Sequence, residues 1–203
     1  MLFQTIFGAT REKKRLALKH LAGHKSVLEI GCSMGILAPA FTEKAGVQYF
    51  GIDIDPQAIE HARTRFAGQK NATFSTQTMR ELGDEGRAFD YVLFANILHH
   101  VDDPTAIELL RDALRLVARG GVLVVIEPDV LRPDDSILVR SLYRLERGQF
   151  RRPPEGYGRL LKAAGISPTE FASEDVSIDT LPGITCGHLL VYKFVAGDEA
   201  HGS

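Results

Sequence analysis

Gly31, Ser33 and Gly35 stand in one short stretch, VLEIGCSMG (27–35), that supports two kinds of chemistry. G-x-S-x-G is the pattern that presents a nucleophilic serine on a sharp strand-to-helix turn. The same spacing suits a loop whose backbone closely approaches a cofactor, with Ser33 in the place of a glycine. The two readings need different companions. A nucleophile requires an acid and a late histidine, for which His188 is the nominal choice, and its elbow normally follows several strands. A cofactor loop requires an acidic side chain about 20 residues on, at the end of the next strand, to hold ribose hydroxyls. Asp53 lies 22 residues after Gly31 and ends the apolar run VQYFGID. Ser33 follows the first strand of the chain, so the cofactor loop is favoured. A dinucleotide fingerprint would need glycines at 33 and 36, where the chain has Ser33 and Ile36, so a nicotinamide cofactor is disfavoured.

Other side chains invite chemistry beside a plainer role. Glu29 sits within an apolar run, where a charge is costly without a partner. Cys32 precedes a helix N-terminus, where a thiol pKa can fall, although a small inert loop residue explains it as well. His99 and His100 offer imidazoles for general-base work or for loop support. Glu127, at the end of the fifth strand, is either an acid/base group or a carboxylate that supports the fold. Asp55 before Pro56 reads as a helix cap. Residues 129–155 are rich in arginine, and Arg140, Arg144 and Arg147 fall on one helical stripe. That stripe is a solvated face or a lid that binds an acceptor's carboxylate or phosphate through guanidinium forks, with Tyr143 and Phe150 as apolar walls.

The elements that must position these groups follow a repeating rhythm. A short helix (11–22) precedes the strand SVLEIG, and strands and helices then alternate: helix 36–46, strand VQYFGID, helix 56–66, strand NATFST, strand FDYVLFAN, a helix from 104 ending at Gly120-Gly121, and strand VLVVIEP. Strands alternating with helices mean a parallel sheet covered on both faces. An amphipathic helix over about 136–147 marks residues 129–155 as an insertion. A short helix near 158–165, a strand near 168–177 and a last strand GHLLVYKF after the turn LPGITCG close the chain. The 203 residues read as one domain with an N-terminal helical segment at 1–25. With 24 Lys+Arg against 26 Asp+Glu, the balance gives no reason to expect nucleic acid. Two cysteines form no disulfide framework and suit a reducing cytoplasm, and no segment reads as a signal or a membrane span. No metal-ligand pattern is present.

These stretches together resemble the class I S-adenosylmethionine-dependent methyltransferases, of the small-molecule type, over almost the whole chain. LEIGCSMG resembles motif I, E/D-x-G-x-G-x-G, through Glu29, Gly31 and Gly35, departing at Ser33. YFGIDIDPQAIEHAR resembles motif II, FDYVLFANILHHVDDP the strand-four motif, and LRLVARGGVLVVIEP the R-x-L-x-P-G-G segment with Arg119 in place of proline. The resemblance implies a Rossmann-like α/β fold, with a seven-stranded, mostly parallel sheet whose last strand is antiparallel. It implies S-adenosyl-L-methionine as cofactor, held by Gly31, Cys32, Ser33 and Gly35, with Glu29 at its amino-acid end and Asp53 and Ile54 at the ribose. Gln77, Thr78 and Met79 fall where the family binds adenine, and Asn96 falls beside the methionine end. The implied reaction moves a methyl group to an oxygen, nitrogen or carbon of a small molecule, with His99, His100 and Glu127 as catalytic candidates and Arg140, Tyr143, Arg144 and Arg147 on the acceptor. A monomer or homodimer is expected. A cofactor-binding regulatory module without turnover is the alternative.

Overall fold

Apolar runs without alternation need cover on both sides, and the fold supplies it. The computed structural model describes residues 9–145, 148–167, 171–181 and 184–197. In chain order the elements are α1 (Ala9–Lys19), β1 (Ser26–Ile30), α2 (Ala38–Thr42), β2 (Gln48–Ile52), α3 (Pro56–Arg65), β3 (Ala72–Ser75), α4 (Met79–Asp84) and β4 (Phe89–Ala95). A 3-10 turn (Leu98–His100), α5 (Asp103–Arg115), β5 (Val117–Pro128), α6 (Ile137–Leu145), α7 (Pro154–Ala163), β6 (Phe171–Leu181) and β7 (Ile184–Val195) complete them. The sheet order is β3-β2-β1-β4-β5-β7-β6. Only β7 runs against the other strands, pairing antiparallel with both β5 and β6.

Alternate residues of each strand enter two cores. Val27, Tyr49, Tyr91, Leu93 and Val124 pack beneath Leu16 and Ala17 of α1, Phe41 of α2 and Ile59 of α3. Leu28, Phe50, Val92, Leu123 and Tyr192 pack beneath Leu82 of α4, Leu110 of α5 and Leu160 of α7. The strand order reverses between β1 and β4, so their carboxyl ends flank the crevice where open parallel sheets bind ligands.

Three expectations change. The helix from 104 stops at Arg115, not at the glycines. Val117 already pairs with Phe89, and the register shifts between Phe89 and Tyr91. Gly120 takes φ +71°, and a Cβ on Gly121 would lie 2.8 Å from the Asp90 carbonyl oxygen, so the pair serves a strand irregularity. The helix expected at 36–46 shrinks to Ala38–Thr42, with Pro39 in its first turn. Part of LPGITCG is strand, because β7 begins at Ile184. Helix α4 and the 3-10 turn add elements that the sequence pattern did not disclose. Among the described residues no helix is long and apolar enough to cross a membrane.

The Tyr91 hydroxyl donates to the Ala17 carbonyl at 2.8 Å, pinning α1 to the sheet from within the core. Tyr91→Phe should therefore lower the unfolding free energy by about 1 kcal/mol, measured by urea denaturation.

Candidate active site

At the end of β1 the chain turns at once, because Gly31 N and Cys32 N both donate to the Ile52 carbonyl at the tip of β2, at 2.8 and 3.0 Å. The turn uses left-handed backbone three times: φ is +70° at Gly31, +49° at Ser33 and +69° at Gly35. A Cβ on Gly31 would overlap the Ile97 side chain, and one on Gly35 would come within 2.9 Å of the Phe66 ring and 3.0 Å of Phe74. Both glycines are thus needed for conformation and for space. Ser33 adopts the same region without being glycine, a strain of about 1 kcal/mol. Asp53 holds it there: Oδ2 accepts from Ser33 N at 2.8 Å and Oδ1 from Asp55 N at 2.9 Å. Asp55 caps α3 by accepting from Gln57 N, as its place before Pro56 suggested.

Beneath this loop Glu29 is 3% exposed, and its Oε2 accepts from the Tyr49 hydroxyl at 2.6 Å. Burial pushes its pKa up to about 8, opposed by that hydrogen bond; Asp53 raises it further and Lys13 lowers it. Cys32 is buried beside it, and desolvation with the carboxylates Glu29 and Asp53 raises its thiol pKa. The thiol packs against Gly51, as a small loop residue does.

Asn96, at the tip of β4, also adopts left-handed backbone (φ +62°), and its buried Oδ1 has no hydrogen-bond partner. The loop that follows is organised by Glu127, which is fully buried. Its Oε1 accepts from Ile97 N and Leu98 N, each at 2.7 Å, and its Oε2 from His99 N at 3.3 Å. His99 Nδ1 lies 2.7 Å from the same Oε2. An accepting carboxylate oxygen must face a protonated nitrogen, so Nδ1 carries the hydrogen and Nε2 is left as the ring's acceptor. The Nε2 edge lies against Gly148, where a Cβ would come within 3.0 Å of it. Phe150 N donates to His99 O at 3.0 Å, and Arg152 donates to the Leu98, Val101 and Phe150 carbonyls and to Asp103. His100 is exposed, its ring centroid 4.0 Å from that of His99.

Residues 27–121 match the family model described as a methyltransferase domain. Over that stretch the chain is similar to methyltransferases. It is 37% identical over 108 residues to the ribosomal protein L11 methyltransferase of Laribacter hongkongensis, covering 53% of this chain and 33% of that protein. It is 33% identical over 116 residues to a ubiquinone biosynthesis O-methyltransferase of Neisseria meningitidis, covering 53% of this chain and 48% of that one. The matches thus span a third to a half of the length of these relatives. Human N-acetylserotonin methyltransferase, solved in complex with SAM, superposes with a TM-score of 0.70 at 21% identity over 97% of this chain and 55% of its own.

Several side chains expected to meet ligand have partners within the chain. Thr78 closes a capping box with Glu81, accepting from Glu81 N and donating to its carboxylate. Gln77 donates to Glu85 at 2.6 Å and accepts from Ser75 Oγ at 3.1 Å. Met79 is buried in the core with Leu82 and Phe50. Arg140 donates to the carbonyls of Arg132, Pro133 and Asp135, which makes it an internal brace of the insertion. Tyr143 is buried near Gly187 with the Arg151 guanidinium 4.6 Å from its ring centre. Arg144 is exposed, and Arg147 lies outside the described residues. Ile54 is 92% exposed beside Asp53. His188, on β7 with β4 and β5 between it and β1, contacts Asp135 at 3.1 Å and Ser177 at 3.5 Å, so it cannot serve Ser33 as a base. Among the described residues no group of three or more His, Cys, Asp or Glu is placed to hold a metal ion.

No motif marks Tyr49 or Lys13 as neighbours of Glu29. Only Lys13 left a trace: it falls one helical turn before Leu16 and Ala17, on the apolar face of α1.

Ser33→Gly should raise stability by up to about 1 kcal/mol, read as a higher Tm, because it relieves the left-handed strain. Glu29 binds its proton more tightly folded than unfolded, since its pKa rises from 4.5 to about 8. Its stabilising effect is fully present below the unfolded value and is lost as pH rises through the folded one. Glu29→Gln should therefore gain stability relative to wild type as pH goes from 5 to 8, measured by urea denaturation across that range.

Proposed function

We propose that this chain transfers a methyl group from S-adenosylmethionine to a hydroxyl oxygen of a small-molecule acceptor, with His99 as the base. The residues at the crevice fit that cofactor. Asp53 uses one lone pair on each oxygen for the loop and keeps others for two ribose hydroxyls. Exposed Ile54 beside it offers an apolar surface to the adenine ring. The partnerless Oδ1 of Asn96 suits an N–H donor from the methionine end. Ser33 N, Gly35 and the loop backbone bring no bulk between these groups.

When bound, S-adenosylmethionine supplies a methyl group activated by its sulfonium, so the protein's part is alignment, exclusion of water and management of one proton. The observation that carries the reading is the His99–Glu127 pair at the tips of β4 and β5, beside the cradle. Glu127 fixes the tautomer and stabilises the imidazolium that forms, the role of a buried acid behind a catalytic histidine. A hydroxyl acceptor must lose its proton as it attacks, and Nε2 can take it. Because Gly148 borders Nε2 and the ring is buried, the insertion covers this edge of His99. Exposed Arg144 on α6 is the described member of the arginine stripe that remains suited to an anionic group on the acceptor.

Calorimetry with S-adenosylmethionine and S-adenosylhomocysteine should show binding of both, and a panel of hydroxylated small molecules should show turnover. His99→Gln should reduce kcat by roughly 10²–10⁴-fold, with cofactor Kd unchanged. Binding without turnover across the panel would favour the regulatory module, and failure of both cofactors to bind would remove the methyltransferase reading.

A further inference from the structure

Arg152 is 7% exposed, and arginine is almost never fully buried unless it is paired. Its guanidinium is paired throughout. Nε donates to Asp103 Oδ1 at 2.7 Å, Nη1 to the Leu98 and Phe150 carbonyls at 2.8 Å each, and Nη2 to the Val101 carbonyl at 2.8 Å, with Asp103 Oδ1 a further 2.7 Å neighbour of Nη2. A guanidinium has five N–H groups, so these partners employ all of them. Leu98 and Val101 bracket His99 on the turn after β4, Asp103 begins α5, and Phe150 belongs to the insertion. Glu127 takes the N–H groups of that turn, and Arg152 takes its carbonyls.

The same guanidinium ties a strap, residues 148–152, across His99. Phe150 N donates to the His99 carbonyl at 3.0 Å, and a Cβ on Gly148 would lie 2.0 Å from His99 Cδ2 and 3.0 Å from Nε2. His99 is 1% exposed, so no acceptor hydroxyl reaches Nε2 while the strap lies there. Swinging the ring out instead would take a donor from the buried Glu127 carboxyl, 2.7 Å from Nδ1, which is costly. The strap is therefore the part that moves. We propose that Arg152 is a positioning residue for the transfer: it fixes the turn that carries His99 and, by latching the strap, controls when an acceptor meets Nε2. The proposal rests on the reading of His99 as the base.

The test reads the strap directly, by labelling the full chain below its Tm. Diethyl pyrocarbonate acylates an imidazole nitrogen that is reachable and carries a lone pair, and tandem mass spectrometry separates His99 from His61, which is exposed on α3. Wild-type His99 should label at least about tenfold more slowly than His61. Arg152→Met should raise the His99 rate by about tenfold or more with the His61 rate unchanged, and Arg152→Lys should raise it less, because an ammonium keeps three donors but not the fork. Gly148→Ala leaves the Arg152 side chain in place and should also raise the His99 rate, which covers the case in which Arg152→Met unfolds. With an acceptor that the panel turns over, Arg152→Lys should lower the acceptor KM, because more of the chain is already open, with S-adenosylmethionine Kd unchanged. Wild-type His99 labelling as fast as His61 would overturn the proposal, as would an unchanged His99 rate in folded Arg152→Met or in Gly148→Ala, which would leave Arg152 a support of the fold alone. Full kcat in His99→Gln, with the labelling as expected, is the separate outcome that removes the base reading itself.

Discussion

A carboxyl group without exposed surface needs hydrogen-bond donors around it. Glu127 meets that condition by drawing in three successive backbone N–H groups, from Ile97, Leu98 and His99, and the His99 ring. The loop after β4 has few other conformations that satisfy this buried acid. Its shape follows: Asn96 is left-handed, Ile97 fills the space over Gly31, and His99 is held in one tautomer. Arg152 then uses the outward carbonyls of the same loop, Leu98 and Val101, to attach the insertion. One side chain at the end of β5 thus joins the cofactor loop, the imidazole and the insertion into a single construction. A buried charge with one missing partner is far more costly than one fully surrounded, so this region tolerates substitution poorly.

Three acidic residues at the strand tips do different work because their surroundings differ. Asp53 stands at the rim and keeps lone pairs for a ligand after bracing Ser33 and Asp55. Glu29, beneath the loop, has one hydroxyl donor and a distant lysine, so burial prevails and its pKa rises. Glu127 has four donors. The backbone strain at Ser33 belongs to the same arrangement, because the Asp53 carboxylate holds the peptide in a conformation that serine by itself disfavours.

The parallel sheet, its order of strands and helices and the glycine-rich crossing were legible from residue periodicity and turn chemistry. Apolar runs such as VLVVI can only be buried strands among helices, and Asp55-Pro56 announces its helix. Boundaries were less legible where one signal had two causes. Gly120 and Gly121 look like a helix stop, yet they relieve a strand irregularity that depends on the register against Phe89. Thr78 has the hydrogen-bonding capacity to meet adenine, but Glu81 three residues later claims it for a cap, a capping-box spacing already present in the sequence. The arginines of the insertion share a chemistry and differ in role, since Arg140 and Arg152 turn inward to carbonyls while Arg144 faces outward.

The sequence by itself determined which residues lie at the strand tips, since spacing along the chain places Glu29, Gly31, Asp53, Asn96 and Glu127 at the carboxyl ends of β1, β2, β4 and β5. It also determined that Ser33 sits in a loop and not at a nucleophile's elbow. Only the tertiary structure decided what each polar side chain touches. Hydrogen bonds reach about 3 Å, and their partners here come from distant parts of the chain: Glu127 with residues 97–99, and Arg152 with 98 and 101. Such short-range pairings between remote segments leave almost no local mark in the sequence, because local propensity constrains where a residue lies along a strand or helix and not which neighbour folding brings to it.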